Sequence, residues 1–140
     1  MSSTLPVPLH EQVSALVGKN LLVVDDDEAM LTAVSKVLRF AGAKVKSARG
    51  VAEAIAMLAQ SDAAFDAVLT DLRMPVTSGK SVLSTIKTTK PDVPVLMMSA
   101  FWTDEIKAEC SQLGAKGLLD KPLNSTRLVT AVAKALLGAL

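Results

Sequence analysis

Three scarcities limit what this 140-residue chain can be. It has one cysteine, Cys110, so that an intramolecular disulfide and a CxxC site are both excluded. Its apolar runs are too short to cross a bilayer, and its N-terminus lacks the basic start and apolar region of a signal peptide. Its net charge of +1 does not indicate a basic surface that would attract nucleic acid or an anionic membrane. We therefore expect a soluble cytoplasmic protein that binds neither nucleic acid nor membranes directly.

Apolar residues, by contrast, make up half of the chain and alternate regularly between two patterns. Short apolar runs predict strands at 21–24, within AGAKVKSA, at 66–71, at 93–98 and within KGLLDKP. A helical stripe follows each run; the first is Met30, Ala33, Val34, Val37 and Leu38, and the later helices are predicted near 51–58, 80–90, 103–113 and 125–140. This alternation favours an α/β fold with a parallel sheet that helices cover on both faces. In the second strand Lys44 and Lys46 flank Val45, which predicts an edge position.

Acidic, hydroxyl and ammonium groups follow four of the five predicted strands. They are Asp25, Asp26 and Asp27 after the first, Asp71 after the third, Ser99 after the fourth, and Asp120 and Lys121 after the fifth. Open parallel sheets bind ligands beyond the carboxyl ends of their strands, so we expect one shared site. Gathered carboxylates are tolerable when they hold a hard cation, and oxygen ligands suit Mg²⁺. Phosphate is the usual anion that completes the shell of such an ion.

The motifs LLVVDDDEAM, VLTDLRMPVTSG, VLMMSA and LLDKP together resemble the receiver domain of bacterial two-component response regulators. The resemblance covers about residues 19–140 and leaves residues 1–18 as an N-terminal extension, either a tail or a short helix. It implies a flavodoxin-like (βα)5 fold with strand order 2-1-3-4-5. It also implies a phosphorylation-activated signalling switch, which is not an enzyme except for catalysing its own phosphoryl transfer and dephosphorylation.

The resemblance further implies a role for each residue of the motifs. Asp71 would accept the phosphoryl group, while Ser99 and Lys121 would contact phosphoryl oxygens. The expected Mg²⁺ ligands are Asp25, mainly through bound water, and Asp26, Asp71 and the backbone carbonyl of Arg73. Mg²⁺ and Lys121 would offset the negative charge that otherwise makes a carboxylate a poor acceptor.

The βα pattern contains no histidine, and this indicates which partner has to donate the phosphoryl group. The single histidine, His10, lies outside that pattern, so a phosphohistidine donor has to belong to a partner histidine kinase or phosphotransfer protein. The phosphorylated state is expected to reach a downstream protein target through the fourth helix, fifth strand and fifth helix. A phosphorylation-dependent homodimer is a further possibility under this resemblance.

One position departs from the pattern of many receivers, and two variable positions near the acceptor carry bulky side chains. An aromatic residue commonly stands three before the lysine, whereas this chain has Leu118, so that Phe101, Trp102 or the fourth helix is expected to report phosphorylation instead. Arg73 stands two residues after Asp71, and Phe101 stands two after Ser99. Their bulk is expected to obstruct an attacking water and slow the loss of phosphate.

Several other interpretations of the same residues remain open at this stage. Asp25-x-Asp27 formally fits a haloacid-dehalogenase-type metal-dependent phosphatase, although Asp27 is also a good N-cap for the first helix. A pseudo-receiver that binds partners without phosphorylation is a second alternative. SGKS at 78–81 lacks the earlier glycine of a phosphate-binding loop, because residue 74 is methionine; we interpret Ser78 as a helix cap and Gly79 as a turn residue.

Overall fold

Five strands, each followed by a helix, make up most of the chain that the structure describes. This computed structural model describes residues 14–60, 64–74 and 78–138. The strands are β1 (Asn20–Val24), β2 (Lys44–Ala48), β3 (Ala67–Asp71), β4 (Val95–Ser99) and β5 (Gly117–Asp120). The helices are α1 (Glu28–Phe40), α2 (Val51–Ala59), α3 (Gly79–Thr89), α4 (Asp104–Gln112) and α5 (Ser125–Leu136).

All five strands pair in parallel, in the order β2-β1-β3-β4-β5. This confirms the predicted doubly wound α/β fold. Every residue of β3 and β4 is buried, as expected for central strands that helices cover on both faces. β2 lies at an edge, as the flanking lysines predicted, and both Lys44 and Lys46 are exposed. Arg39 of α1 donates a hydrogen bond from Nη2 to the Val45 carbonyl of this edge strand, at 2.9 Å.

Strand side chains alternate between two hydrophobic clusters, one on each face of the sheet. Leu21 and Val23 of β1 pack with α1 and α5, whereas Leu22 and Val24 pack with α2, α3 and α4. Both faces are apolar along β1, β3 and β4, so the charged side chains that follow these central strands lie at or just beyond the strand ends. The carboxyl ends of β1, β3, β4 and β5 carry the candidate site.

Three local expectations were wrong. Ala33 is exposed and Leu31 is buried, so the inward face of α1 is Leu31, Val34 and Leu38. β4 begins at Val95 rather than at 93, because Pro94 has no N–H to donate to the ladder. α5 ends at Leu136 rather than at 140, and Gly138 just beyond it has a positive φ of 68°.

The described part of the N-terminal extension packs against the domain. Residues 14–16 are helical, and Leu16 is fully buried in the cluster formed by α1 and α5. Residues 1–13 of the predicted tail or short helix, including His10, lie outside the described residues. Among the described residues, no helix has the length and apolar character needed to cross a membrane.

Candidate phosphoacceptor site

The carboxyl end of β1 presents three aspartates that have three different environments. Asp25 is fully buried, and its Oδ1 accepts a hydrogen bond from the Asp27 N–H at 2.9 Å. Asp26 is exposed to solvent. Asp27 is the N-cap of α1, as predicted, and its Oδ1 accepts from the N–H groups of Ala29 and Met30 at 3.0 and 3.3 Å. Asp27 is therefore occupied in capping α1, and Asp25 and Asp26 are the aspartates of this segment that remain for a ligand site.

Asp71 ends β3 and lies next to these carboxylates, with 6% of its surface exposed. Burial, and then the negative charge of Asp25, raise the pKa of Asp71, although Lys121 opposes the shift. The backbone here is held closely from one side, because Gly79 at the start of α3 packs against the Asp71 carbonyl. A Cβ on Gly79 would overlap that carbonyl oxygen and would come within 3.1 Å of Thr70 Oγ1. Asp71 is thus a buried carboxylate whose charge needs a cation nearby.

Lys121, directly after β5, provides that positive charge. Its Nζ lies 2.7 Å from Asp25 Oδ2 and 3.2 Å from Asp71 Oδ1. Burial acts to lower the pKa of Lys121, but the hydrogen bond and charge of Asp25, together with Asp71, outweigh it, so its pKa is raised. The lysine is joined to Pro122 by a cis peptide bond. Lys121 is therefore charged and bridges the ends of β1 and β3.

The three carboxylates form a group that could hold a cation. Asp25, Asp26 and Asp71 each offer one oxygen, and these oxygens lie within 4.8 Å of one another. An all-oxygen, anionic donor set fits Mg²⁺ better than a softer metal. Arg73, whose backbone carbonyl was a predicted ligand, is two residues beyond Asp71 and forms an isolated antiparallel bridge with Ser78. The residues present thus fit Mg²⁺.

Ser99 closes the site at the end of β4, and it is 2% exposed. Its Oγ accepts a hydrogen bond from the Phe101 N–H at 3.1 Å and lies 3.3 Å from the Phe101 carbonyl oxygen, to which it donates. Phe101 itself is 68% exposed, and the Arg73 guanidinium lies over its ring, 5.7 Å from the centroid. The two bulky side chains that were singled out from the sequence therefore meet each other beside the site.

Trp102 connects this loop to β5. Its indole Nε1 donates to the Leu119 carbonyl at 3.0 Å, and the ring packs in the same hydrophobic cluster as Leu118. Leu118 stands at the position where, by the resemblance given above, many receivers carry an aromatic side chain. The loop after Ser99 is thus tied to β5 by an aromatic residue from the loop.

Sequence reasoning missed two of these features. Gly79 was expected to be a turn residue, but it is the first residue of α3 and its lack of a side chain lets Asp71 approach. The glycine that ends the spaced motif beginning at Asp71 was the available signal. No pattern in the sequence predicts the hydrogen bond from Trp102 to the Leu119 carbonyl. Ser78 caps α3 as predicted, with its Oγ accepting from the Lys80 N–H at 3.1 Å.

Comparison with known proteins agrees with this geometry. The family model described as "Response regulator receiver domain" matches residues 21–133. The chain belongs to the response regulator receiver family. Membership of this family does not support the interpretation of Asp25-x-Asp27 as the motif of a haloacid-dehalogenase-type phosphatase. Asp27 is also occupied in capping α1.

The chain matches only part of the length of some relatives and the whole length of others. It is 36% identical over 121 residues to the DNA-binding transcriptional regulator NtrC of Rhizobium meliloti, covering 86% of this chain and 25% of NtrC. It is 38% identical over 117 residues to the transcriptional regulatory protein ZraR of Salmonella typhimurium, covering 84% of this chain and 26% of ZraR. The chain thus spans about a quarter of these curated relatives. The solved chemotaxis response regulator CheY4 of Vibrio cholerae is 30% identical, with a TM-score of 0.78, covering 86% of this chain and all of that one.

Proposed function

We propose that this receiver domain is switched by phosphorylation of Asp71, with a partner's phosphohistidine as donor. The supporting observation is that the buried carboxylate of Asp71 lies 3.2 Å from Lys121 Nζ, with oxygens of two further aspartates within 4.8 Å. A carboxylate oxygen of Asp71 forms the new bond to phosphorus, and the bond from phosphorus to the donor nitrogen breaks. The donor is a histidine kinase or a phosphotransfer protein.

Each neighbouring residue has a part in this transfer. Asp26, Asp71 and the Arg73 carbonyl are the proposed direct Mg²⁺ ligands, and Asp25 acts mainly through bound water. When bound, Mg²⁺ neutralises carboxylate charge and draws the phosphoryl oxygens toward the site. Lys121 already contacts Asp71 and pairs with a phosphoryl oxygen. Arg73 and Phe101 cover the site against water, and the acyl phosphate is accordingly long-lived.

Phosphorylation is read out through Ser99 and Trp102. A Ser99 hydroxyl that turns toward a phosphoryl oxygen releases its two contacts with the Phe101 backbone. The loop is then free to move, and it carries Trp102 and its hydrogen bond to β5. The change spreads to the face formed by α4, β5 and α5, where a downstream protein target or a second phosphorylated copy binds. This is a shift between two populated states.

The setting of the domain is also proposed. NtrC is by its name a DNA-binding transcriptional regulator, and this chain matches a quarter of its length; by analogy, we propose that this receiver domain controls an output segment such as a DNA-binding domain when it belongs to a longer protein. The domain itself acts through protein contacts, without direct binding to nucleic acid or membrane, and is placed in the cytoplasm. Residues 1–18 form an extension to a receiver domain at 19–140.

Phosphorylation of Asp71 is tested directly by intact-mass measurement after incubation with acetyl phosphate and Mg²⁺. The wild type is expected to gain the mass of one phosphoryl group, because Lys121 and the cation offset charge at the acceptor. Asp71→Asn is expected to gain none. Asp120→Asn is the matched control, since this exposed carboxylate lies beside Lys121 at the same sheet edge. Equal labelling of Asp71→Asn and wild type would show that another residue accepts the phosphoryl group, whereas no labelling of wild type would support the pseudo-receiver alternative.

Trp102, the only tryptophan of the chain, gives an internal reading of the switch. Beryllofluoride with Mg²⁺, a stand-in for the phosphoryl group, is expected to change its fluorescence intensity, because the loop that carries it moves. The change should be absent in Asp71→Asn and in Ser99→Ala, and it should persist in the matched control Ser111→Ala on the exposed side of α4. An undiminished response in Ser99→Ala would exclude the hydroxyl as the trigger.

A further inference from the structure

A groove of about 720 Å³ runs along the edge strand β2, between α1 and the start of α2. β2 is the opposite edge of the sheet from β5, and none of Asp25, Asp71, Ser99 and Lys121 lines the groove. The volume is within the range of ligand-binding clefts, roughly 300–1,000 Å³. The groove is therefore large enough for a short stretch of polypeptide and separate from the phosphoacceptor.

Three cations line this groove: Lys36 and Arg39 on α1, and Arg49 after β2. Across residues 14–60, 64–74 and 78–138, the ion pairs join Lys80 to Glu109 and Lys121 to two aspartates, so none of the three groove cations is paired with a carboxylate. Cations that lack a carboxylate partner and share one concave surface attract a negatively charged partner.

Two glutamates also line the groove, but both are associated with helix starts. Glu53 accepts a hydrogen bond from the Arg49 N–H at the start of α2. Glu28 lies in the first turn of α1, where the helix dipole stabilises an acidic side chain. Because both glutamates lie near helix starts, the charged groove residues along the middle and the far end of α1, Lys36 and Arg39, are all positive.

Phe40 ends α1 at this far end of the groove and is 96% exposed. It is more exposed than Val17, Phe101 or Leu137, the other large apolar side chains that the described chain leaves in water. Aromatic residues and arginine are enriched in protein interfaces relative to the rest of the surface. A partner for this groove should therefore offer an apolar contact as well as negative charge.

We propose that the groove binds an acidic segment of a partner protein, with an apolar side chain of that segment packed on Phe40. Charge complementarity carries the choice of occupant. Nucleic acid fits less well, because the exposed Phe40 calls for an apolar contact that a row of phosphates does not offer, and because the net charge of the chain is only +1. The binding does not depend on the phosphorylation of Asp71.

The probe is a fluorescein-labelled synthetic peptide in which glutamates alternate with leucine and phenylalanine. Its fluorescence anisotropy is expected to rise on adding the wild-type protein. The double variant K36E/R49E should bind roughly tenfold more weakly, because each exposed charge contact contributes up to about a factor of five. Phe40→Ala should also weaken binding several-fold. The control K107E/K134E carries the same charge change on exposed positions of α4 and α5 and should bind as wild type does.

Three results would overturn the proposal. One is equal affinity of wild type and K36E/R49E for the peptide. Another is a labelled oligonucleotide that displaces the peptide from the groove and loses affinity in K36E/R49E. The third is sedimentation showing a dimer that K36E/R49E dissociates, since a second copy would then be the occupant. Labelling of each variant by acetyl phosphate verifies its fold, and a failure of that labelling in wild type would count against the proposed function and not against the groove.

Discussion

Gly79→Ala is expected to lower the free energy of unfolding by about 3 kcal/mol, at the upper end of the cost of overpacking. The added Cβ would overlap the Asp71 carbonyl oxygen and approach Thr70 Oγ1 to 3.1 Å. The overlapped atom belongs to the backbone of a fully buried strand, which cannot swing aside as a flexible side chain would. The sign is informative because helix propensity alone predicts that alanine stabilises a helix relative to glycine by roughly 0.5–1 kcal/mol.

The same substitution should also reduce phosphorylation. Asp71 has to move with its carbonyl, so its carboxylate leaves the position from which it contacts Lys121 at 3.2 Å. Urea denaturation followed by circular dichroism measures the stability, and intact mass after brief exposure to acetyl phosphate measures the rate.

Gly50→Ala is the matched control for Gly79→Ala. Gly50 precedes α2 just as Gly79 begins α3, but a Cβ there has no atom within 4 Å, and its φ of −172° is ordinary extended backbone. Its stability is expected to change by less than about 1 kcal/mol, and its rate of phosphorylation should stay unchanged. If the two alanine variants behaved alike, the close approach at Gly79 would not constrain Asp71.

The fold was predictable because its determinants are local in the sequence. Alternating apolar runs and helical stripes specify strands and helices, and lysines on either side of Val45 specify the edge strand. Where a pattern was ambiguous, the prediction failed. Apolar residues on α1 fit two neighbouring faces, and the packing of α1 on the sheet selects the one that contains Leu31 and leaves Ala33 exposed.

The candidate site was predictable in its residues but not in its contacts. Parallel strands bring their carboxyl ends to one edge, so the positions of Asp25, Asp71, Ser99 and Lys121 in the sequence were enough to gather them. The pairing of Lys121 with Asp25 spans 96 residues and depends on side-chain placement within the folded sheet. The same holds for the hydrogen bond from Trp102 to Leu119, because it arises between a loop and a strand that no shared periodicity links.

Lys121→Met is expected to lower the free energy of unfolding by about 3–5 kcal/mol at neutral pH without divalent cations. The fully buried Asp25 and the nearly buried Asp71 would lose the cation that lies 2.7 and 3.2 Å from them. Lys80→Met is the matched control, because it breaks the exposed pair of Lys80 with Glu109 and should cost less than about 1 kcal/mol. Urea denaturation of the three proteins compares these losses, and equal losses in the two variants would contradict the assigned role of Lys121.

The cost of Lys121→Met should shrink at low pH. The pKa of Asp71 is raised by burial first and by Asp25 second, so the folded state binds this proton more tightly than the unfolded state does. Such a group leaves stability undiminished below its unfolded pKa of 3.8 and lowers stability as the pH rises through the raised pKa of the folded state. Removal of Lys121 takes away a charge that holds this pKa down, which widens the pH range over which stability is lost.

Two additions separate loss of the buried cation from a general failure to fold. Asp25→Asn in the Lys121→Met background removes one uncompensated charge and should recover part of the lost stability. Mg²⁺ should stabilise Lys121→Met by binding the folded state alone, and the stabilisation should grow with Mg²⁺ concentration. Asp25→Asn should recover no stability in the Lys80→Met background, because Lys121 still pairs with Asp25 there. If neither addition raised the stability of Lys121→Met, the aspartates would not be the source of its instability, and the charge balance on which phosphorylation of Asp71 depends would have to be sought elsewhere.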